Sequence, residues 1–252
     1  MALNLKDYEK LVETAVNSFW ATRQSSGVRG GKTLDGFIDV FQWVVRNNGM
    51  PNATFLLGRK AQVPGFFRVS KLWDLLVLDG DVLVAAIELK SIADSFGKNA
   101  NNRGEEVLGS GVDLKAAFEE GAFDNTPLIF TGYLILVEDC PETSTDVGIS
   151  SMHFQAMQEF MANPATRDSI YLRAKDGRFP KIPGVSYQQR FDIMCRRLMQ
   201  KKLYTAASVV TAKRCPTPTE DVFSRISKET GVKAFLASLA AHIEKVVAIK
   251  ES

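Results

Sequence analysis

The chain has 252 residues, 45% hydrophobic and 24% charged, with a net charge of +2, which is enough for one large domain or a core with an extension. No apolar run approaches the roughly 20 residues that span a bilayer, and the N-terminus lacks the basic start and apolar core of a signal peptide. Three scattered cysteines (Cys140, Cys195, Cys215) and two histidines (His153, His242) argue against a disulfide framework and a zinc finger, weaken any His-based mechanism, and fit a reducing cytoplasm.

In chain order, residues 5–22 carry Tyr8, Leu11, Val12, Ala15, Val16, Phe19 and Trp20 at helical spacing, which predicts an amphipathic helix with a buried stripe. A glycine-rich loop, Gln24 to Lys32, follows. Its SGVRGGKT is one residue short of a phosphate-binding P-loop, because serine stands where that motif needs glycine and a helix rather than a strand precedes it. A connector, or a basic loop in which Lys32 meets a nucleic-acid backbone, is the better reading. Thr33 is expected to cap a second helix to about Asn48, ended by Gly49. Asp35, in its first turn, is either a dipole-favoured carboxylate or an accessory acid facing a metal. Thr54–Val63 reads as a first strand, then a Pro64-Gly65 turn.

Trp73 to Ser91, WDLLVLDGDVLVAAIELKS, is the most informative stretch. Two apolar runs flank Asp79-Gly80, so a β-hairpin is expected. Asp74 opens the first run and Glu88-Leu89-Lys90 ends the second. Side chains alternate faces along a strand, so Glu88 and Lys90 share one. Asp74 joins them only if paired positions sum to an even number. A plain two-residue Asp79-Gly80 loop fails this test; a three-residue loop, or Gly80 as a left-handed bulge residue, passes it. The chemistry would be that of the PD-(D/E)xK nuclease core. Asp74, Glu88 and the Leu89 carbonyl offer oxygen ligands to Mg²⁺, and Lys90 sits beside the attacking water. The plainer alternative is a structural ion pair at a strand end.

Ser95–Arg103 is rich in amides. It is expected to be a polar loop in which Lys98, Asn101, Asn102 and Arg103 either reach DNA or cap the next helix. That helix is predicted over Gly104–Glu120, and Leu128–Glu138 suits a buried central strand. The order of elements is αβββαβ, the order of the PD-(D/E)xK core, with a mixed central sheet over 1–145. Residues 146–252 are expected to be a mainly helical extension, with helices over 150–162, 187–212 behind a Ser186 cap, 219–229 and 232–248. Between Arg167 and Arg214 twelve Lys or Arg face three Asp. This excess, including Lys181 and Arg190, suits phosphate binding, or else is a solvated helix face.

These blocks together resemble the XhoI family of type II restriction endonucleases over most of the chain. The resemblance rests on Phe19-Trp20, Gly30-Gly31-Lys32, Asp35-Gly36-Phe37, Pro64-Gly65, Phe67-Arg68, Lys71 and Trp73 to Val77. It continues through Ala85 to Glu88, Lys90-Ser91, Ser95-Phe96-Gly97, Asn101-Asn102-Arg103, Ser186-Tyr187, Arg190, Cys195-Arg196 and Leu203-Tyr204. It implies a Mg²⁺-dependent homodimer that cuts double-stranded DNA at a palindrome, CTCGAG or related, leaves 5′-phosphate ends and 5′ overhangs, and works beside a cognate DNA methyltransferase. Asp146–Leu172 and the tail after Cys215 depart from the family pattern, which leaves the recognition sequence open. Two rivals remain: a structure-selective repair or junction-resolving nuclease of the same fold, and a DNA-binding module with a decayed nuclease core.

Overall fold

The computed structural model describes residues 3–26, 33–149, 153–157, 160, 173–178 and 184–250. A five-stranded sheet organises the chain, with order β1-β4-β5-β6-β7. Its strands are β1 Thr54–Leu56, β4 Leu75–Asp79, β5 Val82–Ile92, β6 Phe130–Glu138 and β7 Ala206–Ala212. β1, β4 and β5 pair antiparallel, whereas β5, β6 and β7 run parallel. A separate antiparallel pair, β2 Gln62–Pro64 and β3 Ser70–Leu72, stands between β1 and β4 in sequence.

Alternation along the strands, interrupted at Val84-Ala85, sorts the apolar residues into two layers. Leu75, Val77, Ile87, Leu134 and Val210 belong to a core shared with α1 (Tyr8–Ser26), α2 (Asp35–Asn47) and the last helix, Val232–Lys250. Leu76, Ala86, Tyr133, Ile135 and Val209 belong to a second core under α3 (Phe96–Glu119) and the helix Tyr187–Gln200. With the short α4 (Pro141–Ser144), these last two helices are α5 (Tyr187–Gln200) and α6 (Val232–Lys250). Strands buried on both faces explain the near-continuous apolar runs of β5 and β6.

The turn that joins β4 to β5 differs from expectation. Asp79 pairs with Val82 and Leu78 with Leu83, so the loop is the two residues Gly80-Asp81. Gly80 takes φ +61°, as the first position of a II′ turn requires. That loop alone gives odd sums and would oppose Asp74 to Ile87. The register then shifts: Val77 pairs with Ala85 and Leu75 with Ile87, leaving Val84 as an extra residue on β5. One further step along the shifted ladder brings Asp74 opposite Glu88. The even parity holds, but a bulge at Val84 produces it, not the turn. The Val84 carbonyl accepts a hydrogen bond from His242 Nε2 of α6 at 3.0 Å.

Other segments also depart from the reading. α2 has Leu34, not Thr33, at its N-cap, with no side-chain cap. The stretch 54–63 is broken by a 3₁₀ turn at Gly58–Lys60. α3 begins at Phe96, because Phe96 and Ala100 pack on the second core and outweigh the poor helix propensity of the asparagines. The capping box at Ser186 is present, but the helix stops at Gln200, and Ala206–Ala212 is the fifth strand. Residues 219–229 form no helix. Most of 150–162 lies outside the described residues.

Candidate active site

Asp74 ends the approach to β4, and Glu88 and Lys90 project from β5 on the side of the second core. The Lys90 ammonium lies between the two acids, hydrogen-bonded to Glu88 Oε1 and 3.4 Å from Asp74 Oδ2. The Leu89 amide donates to Asp74 Oδ2 at 2.7 Å, which fixes that carboxylate against the strand. Glu88 is buried and Asp74 is half-buried at the cleft wall. Burial raises the Asp74 carboxyl above its usual range; Lys90 opposes this, Glu88 adds to it, and the Leu89 amide opposes it. Burial alone would lower the Lys90 ammonium, yet Glu88 and Asp74 outweigh it and raise it.

A second lysine completes the cluster. Lys71 Nζ, from β3, donates to Glu88 Oε2 at 2.7 Å and to the Leu72 carbonyl at 2.9 Å. It also lies 4.9 Å from the centroid of the Trp73 ring. Each oxygen of Glu88 therefore meets its own ammonium. Sequence reasoning missed this contact, because Lys71 reaches Glu88 from another pair of strands.

Asp74, Lys90, Leu89, Asp35 and Arg103 line one open cleft of about 770 Å³. Asp74 and Glu88 supply hard carboxylate oxygens, the donor type that Mg²⁺ takes alongside water and phosphate, and both Glu88 oxygens are engaged by the Lys71 and Lys90 ammonium groups. Among the described residues no three His, Cys, Asp or Glu side chains converge on a metal-sized site. Asp35 shares the cleft, at the start of α2. Arg103 also pairs with Glu106 at 2.6 Å.

The other expected contacts are placed differently. Lys98, Asn101 and Asn102 are exposed on the first turns of α3, on a helix instead of a loop. Asn101 and Arg190 line a neighbouring hollow of about 510 Å³. The Arg190 guanidinium donates to the Val185 and Val147 carbonyls and lies over Tyr187. Lys32 and Lys181 lie outside the described residues. In the basic segment, Arg196 pairs with Asp192, Lys213 with Glu220 and Arg214 with Glu138. Three of its twelve cations are thus paired within the fold.

The family model described as "Restriction endonuclease XhoI" matches residues 20–175 and 162–224. The chain belongs to the XhoI restriction endonuclease family. The match runs through Asp146–Leu172, where a departure was expected. Over 218 residues the chain is 39% identical to the type II restriction enzyme XhoI of Xanthomonas vasicola, covering 80% of this chain and 79% of that one. It is 31% identical over 237 residues to the type II restriction enzyme BstVI of Geobacillus stearothermophilus, covering 92% and 96%. It is 40% identical over 181 residues to AbrI of Azospirillum brasilense, also a type II restriction enzyme, covering 65% and 82%. No solved structure matches. Family membership makes this a site-specific deoxyribonuclease on a restriction-endonuclease-like fold. Among the described residues no helix is long and apolar enough to cross a membrane.

Proposed function

We propose that this protein is a type II restriction endonuclease that hydrolyses both strands of duplex DNA at a short palindrome, CTCGAG or a related sequence, with Mg²⁺, leaving 5′-phosphate ends. The observation that carries the reading is the convergence of the Asp74 and Glu88 carboxylates on the Lys90 ammonium, beside an open cleft that Asp74 and Lys90 line, in a chain of this family. Asp74, Glu88 and the Leu89 carbonyl would hold Mg²⁺, which when bound polarises the scissile phosphate and acidifies a water. Lys90 orients that water at its ammonium and offsets the negative charge that grows on the phosphate. Lys71 holds Glu88 in its rotamer from the opposite side. Asp35 contributes further negative charge to the cleft, and Arg103 a positive one. One such site cuts one strand, so a symmetric cut calls for a homodimer on the two-fold axis of the DNA. A cognate methyltransferase would protect the same sequence in a prokaryotic cytoplasm.

Digestion of a plasmid of known sequence with Mg²⁺, followed by sequencing of the ends, tests this. Discrete fragments with 5′-phosphates at one palindrome are expected. Asp74→Asn, Glu88→Gln and Lys90→Ala should each lose at least about 100-fold in cleavage while still binding DNA. Cutting only at branches or mismatches, or full activity in those variants, would refute the reading.

A further inference from the structure

The β2–β3 hairpin carries features that its role in placing Lys71 does not explain. Gly58 to Leu72 contains four cations, Arg59, Lys60, Arg68 and Lys71, and no acid. Arg59 and Lys60 are exposed. At the tip, Phe66 is 52% exposed and Phe67 is 70% exposed. Their rings meet edge to face, 4.9 Å between centroids. Single exposed apolar residues are ordinary, but two adjacent phenyl rings held in water call for a partner.

The tip is also rigidly built. Asp113, buried in α3, accepts hydrogen bonds from the Phe66 amide at 3.0 Å, the Phe67 amide at 2.8 Å and Arg68 Nε at 2.7 Å. Burial would raise the Asp113 carboxyl, but Arg68 and the two amides outweigh it and hold it below the usual range. Arg68 donates in addition to the Gly109 carbonyl at 3.3 Å. A side chain at Gly65 would meet Asp113 Oδ2 at 2.5 Å and the Arg68 carbonyl at 2.6 Å, so only glycine closes this turn. The loop is therefore fixed from below while its rings face outward.

The other end of the hairpin enters the active site, since Lys71 bonds Glu88 and Leu72 lines the cleft. Four steps along the chain lead from Phe67 to Lys71, at most about 13 Å if extended. That distance equals roughly four steps of a DNA strand at about 3.4 Å each.

We propose that this hairpin is a DNA-binding element in which Phe67 wedges against the bases a few steps from the cut, while Arg59 and Lys60 take phosphates. The inference rests on the nuclease reading of the cleft. Apolar wedges flanked by cations are a recurrent means of unstacking a base step, and aromatic rings stack on bases of any sequence. The competing occupant is a second copy of this chain. A two-fold contact through this hairpin would set its cations against their own copies.

Full-length protein and a duplex of about 25 base pairs containing the site mapped by end sequencing provide the test. Fluorescence anisotropy with Ca²⁺ replacing Mg²⁺ reads binding, and 2-aminopurine within four steps of the cut reads unstacking. Phe67→Ala should weaken binding 5- to 50-fold and abolish the 2-aminopurine rise with no change in melting temperature, and Phe67→Trp should restore both. The double variant Arg59→Ala with Lys60→Ala should reduce the salt slope of binding by about two. Phe67→Ala that binds, cuts and brightens 2-aminopurine like the wild type would overturn the inference alone. Phe67→Ala that converts a dimer to monomers in sedimentation without DNA would assign the tip to a protein contact and also overturn it. Wild-type protein that cuts no duplex would remove the reading on which the inference stands.

Discussion

Replacing His242 tests how the active-site register is held. Its ring is buried on α6, 5.6 Å from the Phe130 ring, and its Nε2 contacts the Val84 carbonyl. A carbonyl only accepts, so Nε2 carries a proton, and burial leaves the ring neutral at pH 7. Burial lowers the imidazolium from the usual 6.5 to about 4; the bond to Val84 opposes this and Lys245 reinforces it. A histidine depressed in the fold stabilises the protein above its unfolded value and loses that stability as pH falls toward the folded one. The gap from 6.5 to about 4 is worth about 3 kcal/mol. His242→Leu removes the titration and leaves the Val84 carbonyl without its donor, which costs about 1–3 kcal/mol at pH 7. Urea denaturation at pH 7, 5.5 and 4.5 compares the two proteins. The wild type should be more stable at pH 7, and its advantage should shrink by about 2.5 kcal/mol at pH 4.5. Parallel pH curves for the two proteins would refute the reasoning.

Lys71→Met should lower cleavage by about 10- to 100-fold and raise the Mg²⁺ concentration for half-maximal rate, because the Glu88 carboxylate loses the group that orients it; titrating Mg²⁺ in a cleavage assay reads both. Asp113→Ala should cost about 2 kcal/mol by stripping three donors of their acceptor, and should open the hairpin to chymotrypsin after Phe67. Since its carboxyl lies below the usual range, the stability that Asp113 confers is present at neutral pH and lost as pH falls through the acid region. Gly111→Ala should destabilise by about 1–2 kcal/mol despite better helix propensity, because the new methyl would sit 2.6 Å from the ring of Tyr204. That ring cannot retreat without losing its bond to the Val107 carbonyl; a melting curve measures the loss.

The acids and Lys90 were legible because strand alternation leaves few ways to gather three charges from two apolar runs. What made the geometry work was not legible: Val84 has no sequence mark of a bulge residue, and its donor lies 158 positions away. Ala206–Ala212 was hidden for another reason. Its small and branched residues continue the apolar pattern of α5, and only the Lys201–Thr205 break, with Lys202 at φ +55°, separates the two. At Ser95–Arg103 local propensity pointed to a loop, and packing of Phe96 and Ala100 overrode it. In 167–214 counting could not see which cations have partners inside the fold, as Arg196, Lys213 and Arg214 do.

The β5 arm of the hairpin holds one residue more than an unbroken ladder needs. Shortening it by Val84 would close the ladder and still set Asp74 across from Glu88, whereas lengthening it by one would turn Glu88 and Lys90 into the apolar layer beneath α2. Tolerance to changes of length is therefore one-sided here, and a relative with a single-position gap at this point would keep an intact nuclease.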